Sequence, residues 1–137
     1  PMQLAGHPIG VSICYEDAFS HVINAALPQA QILVNLSEDA WFGDSLAPHQ
    51  RLQMARARAI ETGRPMIRSS NNGLSALIDA KGRVGTVAPQ FVRTVVRGSV
   101  QPMSGTTPFV RWGNLPVLGL CGLLLGAGFW RRIRKGS

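Results

Sequence analysis

The feature that most constrains this chain is the stretch 112–130, WGNLPVLGLCGLLLGAGFW, which carries no charged residue and runs directly into RRIRK. At about 1.5 Å of rise per residue, such a helix would cover most of a hydrocarbon core roughly 30 Å thick. The spacing predicts one transmembrane helix over 112–130, with a buried core helix as the alternative. Trp112 and Trp130 suit the two interfaces, and Arg131, Arg132, Arg134 and Lys135 belong on the cytoplasmic side by the positive-inside tendency. Residues 131–137 then form a basic cytoplasmic tail, and residues 1–111 lie outside the cytoplasm.

That terminal cluster also accounts for much of the charge. The formal net charge of +7 drops to +3 when its four cations are set aside. The remaining arginines are dispersed, without an aromatic ladder between them, which excludes a phosphate-tracking surface and hence a nucleic-acid partner. The two cysteines, Cys14 and Cys121, belong to no CxxC or Cys/His cluster. Neither a metal site nor a disulfide framework is expected, and no cofactor. Cys14 reads as a free thiol. The chain opens at Pro1 with a strand-like pattern and neither an initiator Met nor a signal-peptide profile, which reads as an interior cut.

Residues 1–111 alternate strand and helix signals, the pattern of an α/β layered domain. Strands are expected over 8–14 and 31–36, with a helix over 17–27 between them, its acidic first turn suiting the macrodipole. A loop over 37–47 leads to a second helix over 48–62, begun by Pro48 and stopped by Gly63-Arg64-Pro65. Strands over 66–70, 74–79 and 83–87, joined by turns at 71–73 and 80–82, read as an antiparallel meander. A further β-rich segment spans 91–100, before a Pro/Gly/Thr-rich connection over 101–108.

Cys14 falls where the first strand ends, a place where side chains at a sheet rim face a cleft. A thiolate there is a strong nucleophile, and backbone amides of the following turn can stabilise an oxyanion. On pattern alone, the commoner reading of such a cysteine is a small buried hydrophobe. His7, His21 and His49 have no spacing that ties them to it.

Five strings alter that balance: Ile13-Cys14-Tyr15-Glu16, Asp39-Ala40-Trp41-Phe42-Gly43, Gln53-Met54-Ala55-Arg56, Arg64-Pro65 and Arg68-Ser69-Ser70-Asn71-Asn72-Gly73. In this order and at these separations, the chain resembles the apolipoprotein N-acyltransferases of the nitrilase superfamily, from about residue 8 to the basic tail. The resemblance implies the C-terminal half of a nitrilase-like α-β-β-α sandwich followed by one transmembrane helix. It implies a ping-pong acyl transfer at the outer face of a bacterial inner membrane, by a monomer. Cys14 would be the nucleophile, Tyr15 and Glu16 its required neighbours, and the Tyr15 amide part of an oxyanion hole. Trp41 and Phe42 would help shape the acyl-chain entrance. The partners implied are a phospholipid acyl donor, an apolipoprotein acceptor and the membrane itself.

The departures carry expectations too. The family's triad is Glu-Lys-Cys, with Glu and Lys well before the cysteine, so this chain alone is expected to be inactive. Glu38 stands where the family commonly has Asn. Two other readings remain: a nitrilase-type amidase, which needs no anchor, and a membrane-tethered remnant without turnover.

Overall fold

The computed structural model describes residues 2–135. Six strands form one mixed sheet in sequential order: β1 (Met2–Leu4), β2 (His7–Ile13), β3 (Ile32–Glu38), β4 (Met66–Asn71), β5 (Ala76–Ile78) and β6 (Val84–Val87). β2, β3 and β4 are parallel, and β1, β5 and β6 join antiparallel. Parallel neighbours need crossovers. The first contains α1 (Ser20–Asn24) and the second contains α2 (Ala47–Thr62).

Both crossover helices pack on one face of the sheet. The core gathers Ile23 of α1, Ala55 and Ala59 of α2, and Leu33, Met66, Ala76 and Ile78 of the strands. Ala55 and Ala59 are fully buried, and their short side chains let α2 lie close to the sheet. Burying Leu33, Met66 and Ile78 stabilises this layer by about 1.5–3 kcal/mol each. Gly63 ends α2 in the left-handed conformation, with φ of 63°, which glycine adopts without strain. Arg64 then donates from Nε to the Ala30 carbonyl at 2.7 Å and from Nη2 to that of Gly105 at 2.6 Å. The Arg64-Pro65 string thus ties the loop before β3 to the segment that follows the sheet.

The opposite face has no second layer among the described residues. Val11, Ile13 and Leu36 lie on it, and all three are exposed. A strand that alternates apolar-in and apolar-out is the pattern of a sheet meant to be covered on both sides.

Two expectations are corrected, and a third is met only in part. The helix over 17–27 is instead a 3-10 turn (Cys14–Ala18) followed, after the extended residue Phe19, by the short α1. Asp17 is drawn inward to two arginines rather than capping a solvated helix, which stops a continuous helix from starting there. The β-rich segment over 91–100 forms no strand. It leaves the edge of β6 and crosses the sheet face, with Gly98 against Leu77 and the Met103 amide donating to the Gln31 carbonyl at 3.1 Å.

The third concerns the apolar stretch. Gly113, with φ of 56°, separates α3 (Pro108–Trp112) from α4 (Leu115–Lys135). The uncharged part of α4 is therefore 115–130, about 24 Å at ~1.5 Å per residue. Among the described residues, no helix is long and apolar enough to cross a membrane. α4 is exposed along 115–130, so nothing among the described residues buries it. Of the basic tail, residues 136 and 137 lie outside the described residues.

Candidate active site

Cys14 stands at the carboxyl end of β2, at the first position of the 3-10 turn, with its thiol exposed. The reading of it as a small buried hydrophobe is thereby overturned. Its φ is 51°, a conformation that residues with a Cβ rarely adopt and that costs on the order of 1–3 kcal/mol unless the surroundings enforce it.

The enforcement comes from below. The Cys14 carbonyl accepts from Arg51 Nη2 at 2.6 Å and from Asn35 Nδ2 at 3.2 Å. Asn35 lies in the row Ser12–Asn35–Arg68 across β2, β3 and β4, on the face that α2 covers. Its Nδ2 also donates to Ser12 Oγ at 3.0 Å, and its Oδ1 accepts from Arg68 Nη1 at 2.7 Å. Arg68 bridges two carboxylates, Asp17 at 3.1 Å and Asp39 at 2.8 Å. Arg51 faces Asp17 Oδ1 at 3.3 Å and Asp39 Oδ1 at 4.0 Å. Two arginines and two aspartates thus form a buried, charge-balanced platform beneath the turn.

The two carboxylates titrate in opposite directions. Burial pushes the Asp17 carboxyl above its ordinary value, against the opposing pull of Arg51 and Arg68. For Asp39, burial also works upward, but hydrogen bonds from Ser70 and Ser37 and the charge of Arg68 outweigh it and hold the carboxyl below the usual range. Gly73 closes the platform, since a Cβ there would overlap Asp39 Oδ2 and Ser70 Oγ.

Glu16 does not enter the platform. Its Oε2 accepts from the Ile13 amide at 2.7 Å, clasping the turn from outside. Tyr15 is stacked under the Arg51 guanidinium at 4.9 Å and meets Phe19 edge-on with centroids 6.0 Å apart. Trp41 and Phe42 lie on a second 3-10 turn, Ala40–Phe42, that follows β3 at the same end of the sheet. Trp41 is 86% exposed and Phe42 42%. Glu38, the departure from the family pattern, accepts from the Ala40 amide at 2.8 Å and from Asn71 Nδ2 at 2.6 Å, so it braces this loop against the turn after β4.

All five residues singled out from the sequence sit at the carboxyl ends of β2 and β3. Sequence reasoning missed the platform. Asn35 and Arg51 have no role in that reasoning, Asp17 only that of a helix-dipole partner, and Asp39 and Arg68 only a place in the quoted strings, although two signals were present. Arg51 shares the helical spacing of the buried Ala55 and Ala59, and Asn35 and Arg68 interrupt apolar strands on the inward side. A cleft of about 580 Å³, lined by Pro65, Leu77, Lys81, Arg83 and Met103 among others, lies at the opposite end of the sheet from Cys14. Among the described residues no group of His, Cys, Asp and Glu could hold a metal ion.

A solvent-facing cysteine on a strained strand-to-turn elbow, held by buried charge where the parallel strands of a mixed sheet end, defines an α/β architecture that presents an accessible thiol at the rim of its sheet. The carbon–nitrogen hydrolase model matches residues 1–108, and the chain belongs to that family. It is similar to the apolipoprotein N-acyltransferase of Methylococcus capsulatus, 51% identical over 99% of this chain and 27% of that protein. Proteins of the same name from Nitrosomonas europaea and Azotobacter vinelandii are 49% and 46% identical, over 93% and 96% of this chain and 26% and 25% of their own lengths. The chain therefore spans about a quarter of the length of these curated relatives.

Proposed function

We propose that this chain is the nucleophile-bearing part of a membrane acyltransferase that moves a fatty acyl group from a phospholipid to the N-terminal amine of an apolipoprotein diacylglyceryl-cysteine. The exposed, strained Cys14, at the turn where β2 ends, carries the proposal. The Cys14 thiolate attacks the ester carbonyl, the acyl–oxygen bond breaks, and the lysophospholipid leaves with a proton. The acceptor amine then attacks the thioester, the carbon–sulfur bond breaks, and the proton that the nitrogen loses returns to the sulfur, restoring the thiol. The Tyr15 amide donates to the oxyanion in both steps. Tyr15 and Glu16 keep the turn in shape, and Trp41 and Phe42 guide the acyl chain. The Glu and Lys of the triad come from sequence outside these 137 residues, so the chain alone does not turn over. The names of the relatives and their greater length support this reading. The names also favour it over the amidase.

The bare sheet face formed by Val11, Ile13 and Leu36 supports a second sheet packing there, which would complete an α-β-β-α sandwich. The exposed apolar surface of α4 supports an anchor embedded in a bacterial inner membrane, with the basic residues after Trp130 at the cytoplasmic headgroups and Cys14 on the outer side. An anchored domain meets lipidated substrates in two dimensions, without drawing acyl chains through water.

The test joins this chain to the upstream sequence of its Methylococcus capsulatus relative and mixes the product with phospholipid vesicles. Mass spectrometry should find an acyl adduct on the peptide containing Cys14, and the 137-residue chain alone should acquire none. Undiminished transfer by Cys14→Ala would overturn the proposal.

A further inference from the structure

We infer that Arg51, assisted by Asn35, is a positioning residue that aims the Tyr15 amide, by pinning the one peptide plane that carries both the Cys14 carbonyl and the Tyr15 N–H. The inference rests on the reading of Cys14 as nucleophile. A trans peptide is planar, and its C=O and N–H point in opposite directions. The Cys14 carbonyl points inward, to Arg51 Nη2 at 2.6 Å and Asn35 Nδ2 at 3.2 Å. The Tyr15 N–H is therefore directed outward, away from the buried platform.

Arg51 reaches this turn from α2, and it grips more than the carbonyl. Its guanidinium covers the Tyr15 ring at 4.9 Å, and its Nη2 lies 3.3 Å from Asp17 Oδ1 and 3.1 Å from Ser37 Oγ. One buried side chain thus touches residues 14, 15 and 17 of the turn at once. Rotation of this peptide, about ψ of Cys14 and φ of Tyr15, would swing the N–H away, and the two donors on the Cys14 carbonyl oppose it. An oxyanion donor acts only when it is already aimed at the developing charge.

Two reactions of the same thiol separate positioning from folding. Thioester formation needs the sulfur and the oxyanion donor, whereas alkylation by iodoacetamide needs the sulfur alone. In the joined, active polypeptide, Arg51→Gln should slow single-turnover acylation of Cys14 by a p-nitrophenyl fatty ester about 10²-fold, the size of losing one oxyanion donor. Alkylation of Cys14, read on its own peptide, should stay within about threefold. Arg51→Lys, which keeps the charge and one donor, should recover part of the acylation rate. Unchanged acylation in Arg51→Gln overturns the inference. So does a parallel fall in both reactions, or loss of the fold in both variants, since either assigns Arg51 to the fold alone. Acyl mass found away from Cys14 in the unsubstituted protein instead defeats the nucleophile reading, whatever Arg51 does.

Discussion

The two sides of the Cys14 turn reverse the polarity of an ordinary domain. Beneath it, Asp17, Asp39, Arg51 and Arg68 are buried, while Ile13, Tyr15 and Phe19 of the turn and its flanks, and Trp41 and Phe42 of the turn after β3 at the same end of the sheet, are exposed. Interior charge is expensive and exposed apolar surface is a liability, so neither pattern serves stability. The contrast separates two tasks. The buried charges supply directional bonds that hold a strained backbone, which an apolar core, lacking direction, does not provide. The exposed aromatic rim suits apolar material arriving from outside.

Four substitutions probe this division, starting with the largest expected effect. Arg68→Met should remove the bridge between Asp17 and Asp39 and leave two buried carboxylates short of a partner. The cost should be about 3–5 kcal/mol, measured by urea unfolding. A loss below about 1 kcal/mol would show that water reaches the platform and that its charges are not under strain.

A finer comparison lies within the platform. Asp39, with its pKa held down, contributes stability that is present above the unfolded-state value and is lost as the pH falls through the folded one. Asp17, with its pKa raised, binds its proton more readily folded than unfolded, so its contribution worsens as the pH rises through that window. Asp39→Asn should therefore destabilise more than Asp17→Asn at pH 7, by roughly 1–2 kcal/mol. The gap should shrink when unfolding is repeated below about pH 4, where unperturbed aspartates protonate. A gap that widens in acid would reverse the assignment of the two carboxylates.

The smallest effect on stability belongs to the rim. Trp41→Ser should change unfolding free energy by no more than about 0.5 kcal/mol, because the ring packs on little. In the joined polypeptide, the same change should raise the KM for phospholipid several-fold with little effect on kcat, as expected when binding common to ground and transition states is lost. A large loss of stability would move Trp41 from the rim to the fold.

The sequence alone determined a good deal. Strands alternating with helices were legible because β2 and β3 carry apolar runs and Pro28 and Gly63-Arg64-Pro65 end the segments between strands, signals that act over a few residues. The position of Cys14 at a strand end followed from the same patterning, and Asn71-Asn72-Gly73 was legible as a turn, with Asn72 at φ of 57°. What only the tertiary structure decided was the partnership of residues far apart in the chain. Arg68 meets Asp17 across 51 positions, and Arg51 meets the Cys14 carbonyl across 37. Periodicity records which residues face inward, not which charge they will meet there. The inward pull on Asp17, the loss of the helix expected over 17–27 and the elbow at Cys14 all depend on contacts that exist only once α2 has docked on the sheet.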